Sequence, residues 1–195
     1  MSEARSGGAG PDIEPRSDFL AEVEKVTGES LSACFQCRKC ASGCPLAGEL
    51  DLFPNQILRL VQLGRRDEVL GSKAIWLCLS CETCTERCPN GVDLARVQDY
   101  LRFAAIVDGI EPAEPNVARF HAAFLETVRK YGRSHEIDMI RRYKMKSGKW
   151  LDNMAVGFDM FRKGKIRIAG EKIKGVGEVR EIMDRGAGAG GRGKA

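Results

Sequence analysis

The stretch CFQCRKCASGCP, residues 34–45, decides how this chain is read, because CLSCETCTERCP at 78–89 repeats its spacing. Each copy follows C-x2-C-x2-C-x3-C-P. The first supplies Cys34, Cys37, Cys40 and Cys44 ahead of Pro45, and the second supplies Cys78, Cys81, Cys84 and Cys88 ahead of Pro89. Corresponding cysteines lie 44 positions apart, and the two copies use all 8 cysteines of the chain.

This is the spacing that holds two 4Fe–4S cubanes in bacterial ferredoxins. Three cysteines separated by two residues each can wrap three corners of a compact inorganic core from one tight loop. Backbone N–H groups of such a loop point at the sulfides and offset negative charge. The fourth cysteine is one residue further on, and the proline behind it turns the chain away. In two-cluster arrangements that fourth cysteine serves the other cluster. Cluster 1 is therefore expected on Cys34, Cys37, Cys40 and Cys88, and cluster 2 on Cys78, Cys81, Cys84 and Cys44. Crossed ligation would staple the two halves together and couple folding to cluster assembly. Zinc ribbons use two cysteines per knuckle and fit the repeated triple poorly. Disulfide scaffolds belong to small secreted chains.

Composition narrows the setting. The 195 residues show no stretch approaching the roughly 18 apolar residues that span a bilayer, and the N-terminal MSEARSGGAGPDIEPRSD carries no apolar leader. The expectation is a cytoplasmic, soluble protein with reduced thiols. The net charge of +4 is unevenly spread: residues 1–115 hold 12 Lys/Arg against 18 Asp/Glu, and residues 116–195 hold 19 against 9. The basic half lacks a nucleic-acid-binding motif and interleaved aromatics, so a solvated face or a protein docking surface is expected and nucleic acid is not.

The layout reads as helix, cluster loop, helix, cluster loop, helix. Ser17 is placed to cap a helix carrying Phe19, Leu20, Val23 and Val26 at helical spacing and ended by Gly28. DLFPNQILRLVQLG opens with Asp51, has Pro54 in its first turn and closes at Gly64. A short helical piece at 66–70 follows, then AIWLCL running into the second loop. Asn90-Gly91 marks a turn, and Asp93 caps a helix to about Val107 with Leu94, Val97, Leu101 and Ala104 on one face. Phe35 and Trp76 are expected to seal the clusters from water. Beyond Pro112 and Pro115, residues 116–131 show a stripe of Val117, Phe120, Phe124 and Val128, and Leu151, Met154, Phe158 and Phe161 make a second, narrower one. His121 and His135 have no ligand-spaced companions and read as surface or packing residues.

The fold class expected is mainly α: a helical dicluster, ferredoxin-like domain with a helical C-terminal extension. Its parts are a disordered N-terminus at 1–16, the two-cluster domain at 17–110, a basic, partner-docking extension at 111–185 and a low-complexity, disordered tail at 186–195. No phosphate-binding loop, dinucleotide fingerprint or nucleophile–base pair appears, so no catalytic residue is named. A chain that moves electrons without chemistry of its own needs a donor and an acceptor. A free ferredoxin-like shuttle and a regulatory iron–sulfur protein are the other classes compatible with the motifs.

The run NQILRLVQLGRRDEVLGSKAIWLCLSCETCTERCPNGVDLARVQDYLR, and CFQCRKCASGCPLAG followed by DLFPN, resemble the C subunit of heterodisulfide reductases. WLDNMAVGFDMFRKGKI also looks like that family's C-terminal segment. The core is similar, too, to the iron–sulfur halves of glycolate oxidase and anaerobic glycerol-3-phosphate dehydrogenase subunits, which carry a further cysteine-rich domain. The resemblance implies two 4Fe–4S clusters on the eight cysteines named above. It also implies a complex in which a flavin-containing A subunit delivers electrons and a cysteine-rich B subunit reduces a disulfide.

Overall fold

A computed structural model describes residues 18–148, 159–160, 162–163 and 171–190, the last four without their side chains. The expectations for residues 1–16, for the Ser17 cap and for the Leu151–Phe161 stripe fall outside the described residues. The described chain is helical and divides into two units at the Ala113–Glu114 bond.

The first unit contains α1 (Asp18–Thr27), a 3-10 turn (Leu31–Ala33), α2 (Lys39–Ser42), α3 (Pro54–Gln62), α4 (Arg66–Leu70), α5 (Ala74–Leu77), α6 (Thr83–Glu86) and α7 (Leu94–Val107). Helix α1 buries Phe19, Leu20 and Val23, one face of a 3.6-residue period. Val26 is not part of that face: it is exposed, and Thr27 takes the buried place by donating its hydroxyl to Val23 O at 2.7 Å. Gly28 ends the helix in the left-handed conformation (φ +74°), with its N–H on Glu24 O at 2.9 Å. Helix α3 starts at Pro54, where a missing N–H costs nothing, and Gln56 reaches back to accept the Phe53 N–H at 2.8 Å. Helix α7 is capped by Asp93, which accepts the Arg96 N–H at 3.0 Å, and it buries Leu94, Val97, Leu101 and Ala104. It packs against α1, α4, α5 and α6, so it is the element around which the unit is built.

Polar groups brace this apolar assembly. Arg66 binds Glu22 at 2.6 Å and Asp108 at 2.8 Å and lies over the Phe19 ring, while Tyr100 donates to Glu22 at 2.5 Å; these contacts join α1, α4 and α7. Asp51 does not cap α3. Its carboxylate accepts from Ser72 Oγ at 2.8 Å and from the N–H groups of Lys73 and Ala74 at 2.9 and 3.0 Å, which caps the start of α5. Burial opposes its charge, but these donors outweigh it and hold Asp51 below the usual carboxylate range.

The second unit contains α8 (Pro115–Tyr131), α9 (Glu136–Ser147) and α10 (Val176–Gly190). Helix α8 buries Ala123 and Thr127, and Phe120 and Phe124 of the expected stripe are exposed. The most deeply buried positions of α8 are thus small or polar, while Phe120, though part-exposed, meets Tyr143 of α9 edge-on with ring centroids 5.9 Å apart. His135 caps α9, accepting the Asp138 N–H on Nδ1 at 3.1 Å, which is a packing role. Helix α10 continues through Gly190, into the tail expected to be disordered: once nucleated at Val176–Met183, a helix propagates across residues that would not start one.

Candidate metal centre

The two cysteine loops share a backbone as well as a spacing. Four non-glycine residues of the described chain have positive φ: Gln36 (60°) and Arg38 (65°) in the first loop, Ser80 (48°) and Glu82 (59°) in the second. They are pairwise equivalent under the 44-residue shift. Side chains in this region are uncommon and cost about 1 kcal/mol or more each, so the surrounding structure must enforce them. Alternation of left- and right-handed residues turns successive N–H groups into one concavity, the nest that receives anions and iron–sulfur clusters. Each loop then enters a single helical turn, α2 or α6, whose N-cap is the left-handed Arg38 or Glu82. The closing hydrogen bonds also repeat: Cys44 N on Ala41 O at 3.2 Å matches Cys88 N on Thr85 O at 3.0 Å. Helices α2 and α6 pack together, which brings the two loops side by side.

All eight thiols are free. Cys44, Cys78, Cys81 and Cys84 line one hollow, together with Pro45, Leu79, Thr83 and Gln98. The fourth cysteine of the first motif therefore stands with the first three of the second. Cys40 is close enough to feel the charge of both Cys84 and Cys34, and Asn90, two residues past Cys88, donates its amide to Ala33 O beside Cys34. Among the described residues no three His, Cys, Asp or Glu side chains converge as the ligands of a single ion. The donor set is soft thiolate, held around a hollow under a nest. It fits an iron–sulfur cluster, which is larger than one zinc ion with sulfurs at about 2.3 Å. Gln98 adds a carboxamide to this hollow, and its buried Oε1 has no partner among the described residues; turned over, the amide offers N–H groups to sulfur.

Sulfur also has partners outside the nests. Gln36 Nε2 donates to Cys34 Sγ at 3.4 Å and is itself held by Asn55 at 3.1 Å. The Val92 N–H donates to Cys88 Sγ at 3.4 Å. Arg102 of α7 donates to Ile75 O at 2.8 Å and Cys78 O at 2.9 Å, fixing the entry to the second loop. Burial pushes the thiol of Cys40 up to about 11 and raises those of Cys78 and Cys84. Cys81, at the surface, moves down, because the Thr83 hydroxyl and N–H stabilise its thiolate. Phe35 and Trp76, expected to share one task, part company: Trp76 is in the core at 3% exposure and Phe35 stands out at 63%. The sequence reading missed Gln36, Asn55, Gln98 and Arg102. The available signal was their position, either between cysteines or in the turns of α3 and α7 that face the loops.

Residues 30–92 match the family model of the 4Fe-4S dicluster domain. The iron-sulfur C subunit of CoB–CoM heterodisulfide reductase from Methanopyrus kandleri is 30% identical over 183 residues, covering 72% of this chain and 94% of that protein. The C subunit of the H2:CoB-CoM heterodisulfide, ferredoxin reductase of Methanothermobacter thermautotrophicus is 34% identical over 104 residues. That match covers 53% of this chain and 56% of the relative, so the chain spans little more than half of it. A protein of Archaeoglobus profundus named for its likeness to the heterodisulfide reductase C subunit is 39% identical over 85 residues, 43% of this chain and 45% of that one. Eight repeated thiols on two nests, the dicluster match and near full-length similarity to the Methanopyrus protein agree: this chain belongs to the family of heterodisulfide reductase C subunits.

Proposed function

We propose that this chain is the electron-transfer subunit of a heterodisulfide-reductase-type complex, standing between a flavin-containing partner and a cysteine-rich, disulfide-reducing one. Two 4Fe–4S clusters, when bound, supply one-electron chemistry at neighbouring points. The chain's own residues supply the rest. Cys34, Cys37, Cys40 and Cys88 hold one centre, and Cys78, Cys81, Cys84 and Cys44 hold the other. The two nests direct N–H groups at the sulfurs, Gln36 and Val92 add hydrogen bonds, and the apolar core behind excludes water on one side. The observation that carries this reading is the equivalence of the two loops in thiols and in left-handed residues.

Paired serine substitutions test both the centres and their crossing. Anaerobically assembled protein should hold about eight iron and eight sulfide per chain, and no zinc. Cys44→Ser with Cys81→Ser strikes one crossed centre twice and should leave about four iron; Cys37→Ser with Cys44→Ser strikes both and should leave almost none. The reverse pattern means uncrossed ligation, and zinc without sulfide defeats the reading altogether. Native capture of the tagged chain should bring down a flavoprotein and a cysteine-rich protein; a loaded chain recovered alone would point to a free carrier.

A further inference from the structure

The two cysteine loops match in backbone and differ in charge. In each, the middle cysteine is the exposed one, Cys37 in the first and Cys81 in the second. Two residues earlier stand Phe35 and Leu79, equivalent positions, both 63% exposed. Around Cys37 the sequence places Arg38 and Lys39, both exposed. Arg87, the chain neighbour of Glu86, lies instead over Gly43 at the end of α2; a Cβ on Gly43 would stand 2.7 Å from Arg87 Cδ and Nη1. Around Cys81 it places Glu82 and Glu86, both exposed. Asp99 of α7 joins them, held to the loop by Ser80 Oγ at 2.9 Å. Arg102 is turned inward onto Ile75 O and Cys78 O and also meets Asp99 at 3.4 Å, so the charges of this rim without an ion pair are those of Glu82 and Glu86. At equivalent positions Arg38 thus corresponds to Glu82, and Ser42 to Glu86. Arg38, Lys39, Glu82 and Glu86 take part in none of the ion pairs among the described residues. Charges left unpaired on an enforced backbone remain available to a partner, where they steer encounter and fix orientation.

We propose that the two rims are docking faces of opposite sign. The Cys37 rim, with Phe35, Arg38 and Lys39, seats an acidic protein surface that has an apolar notch. The Cys81 rim, with Leu79, Glu82, Glu86 and Asp99, seats a basic one. The chain then fits between two different redox proteins in one orientation only. The inference rests on the cluster reading above and deepens it.

Two probe proteins test it on the full, cluster-loaded chain: a reduced acidic ferredoxin, which gives up one electron to the chain, and an oxidised basic c-type cytochrome, which takes one from it. Stopped-flow rates are compared for the parent, Arg38→Glu with Lys39→Glu, and Glu82→Lys with Glu86→Lys. At low ionic strength the first variant should slow exchange with the acidic ferredoxin about tenfold and leave the cytochrome within about twofold. The second should do the opposite, and both effects should fade near 0.5 M salt. If loading fails in a charge reversal, Arg38→Gln and Glu82→Gln carry the comparison with smaller steps of the same sign. Both probes responding alike to one variant would reduce the effect to net charge and overturn the proposal. Unchanged rates would overturn it as well. So would self-association of the parent abolished by either variant, since the occupant would be a second copy. A chain without iron and sulfide fails the functional reading before any rate is measured, whereas a loaded chain with indifferent rims fails only this inference.

Discussion

In the first unit the fully buried side chains are aliphatic, among them Leu31, Ile57, Leu58, Ile75 and Leu101; in the second the buried residues among those described are Ala123, Thr127, His135 and Asp138. The first excludes water from apolar surface. The second joins α8 to α9 with ion pairs as well as an aromatic contact: Lys130 meets Asp138 at 3.3 Å, Glu126 meets Lys146 at 2.5 Å and Arg142 at 2.6 Å, and Phe120 stands edge-on to Tyr143, while within α9 Asp138 also meets Arg141 at 2.8 Å and Arg142 at 3.2 Å. The two solutions suit different tasks. A cluster domain needs a dry, stiff backing to hold left-handed loops in place. A basic helical hairpin keeps its surface, including exposed Phe124 and Leu125, for other uses. They also predict different vulnerabilities, because apolar burial is indifferent to salt and pH while ion pairs respond to both.

The largest effect is expected where the apolar core is cut. Leu101 of α7 is 0% exposed, in the helix on which α1, α4, α5 and α6 all pack. Leu101→Ala should cost about 3 kcal/mol through lost burial and an unfilled cavity. Thermal unfolding of the loaded chain in low and high salt should show the same loss. A cost below about 1 kcal/mol would mean that the core is less tightly packed than its burial implies.

Asp138→Asn cuts the second unit in the corresponding way. It removes a buried charge that balances three cations, at a cost of about 2 kcal/mol. Burial opposes the Asp138 charge, but hydrogen bonds from Arg141, Arg142 and Lys130 prevail and hold its carboxyl well below the usual range. A carboxyl with a lowered folded pKa contributes its full stability above its unfolded value of about 3.9, and loses it as pH falls toward the folded value. Protection of the Pro115–Ser147 amides, the intrinsic exchange rate relative to the observed one at each pH, should therefore be steady from pH 7 to about 5 and fall below about pH 4 in the parent. The Asn variant should be less protected throughout and lack that acid limb. A parallel loss in Leu94–Val107 of the variant would erase the contrast between the units.

What could be read from residues alone follows the same division. Where burial is apolar, periodicity found it: the Leu94, Val97, Leu101 and Ala104 face, the Asp93 cap, the Gly28 stop and the 66–70 helix all stand in the structure. Where the buried face is small or charged, periodicity found only part of it: Phe120 meets Tyr143 and Val117 and Val128 are half-buried, but Phe124 is exposed and the buried Ala123 and Thr127 were not singled out. The motif gave the thiols but not the loop conformation, since Gln36, Arg38, Ser80 and Glu82 carry no glycine signal for positive φ. Their strain becomes visible only as a repeated geometry. Tertiary partners such as Arg102 on Cys78 O or Asn55 on Gln36 lie 24 and 19 residues apart, beyond any local pattern.

Asp51 is the place where the apolar unit borrows the other's method, and it sharpens the comparison with the smallest effect. The sequence around it reads as the start of α3, yet its carboxylate spans the chain to cap α5, the helix that leads into Cys78. Asp51→Asn keeps one acceptor oxygen and loses the charge, so the expected cost is that of a weakened N-cap, about 1 kcal/mol. Its lowered carboxyl again contributes fully above about pH 3.9 and fades on acidification below that. Because the donors are backbone N–H groups and the Ser72 hydroxyl rather than mobile cations, raising salt from 0.1 to 1 M should leave the difference between Asp51→Asn and the parent nearly unchanged, whereas the Asp138→Asn difference should shrink. Equal salt responses for the two variants would show that the capping carboxylate, like the one in the hairpin, works through long-range charge.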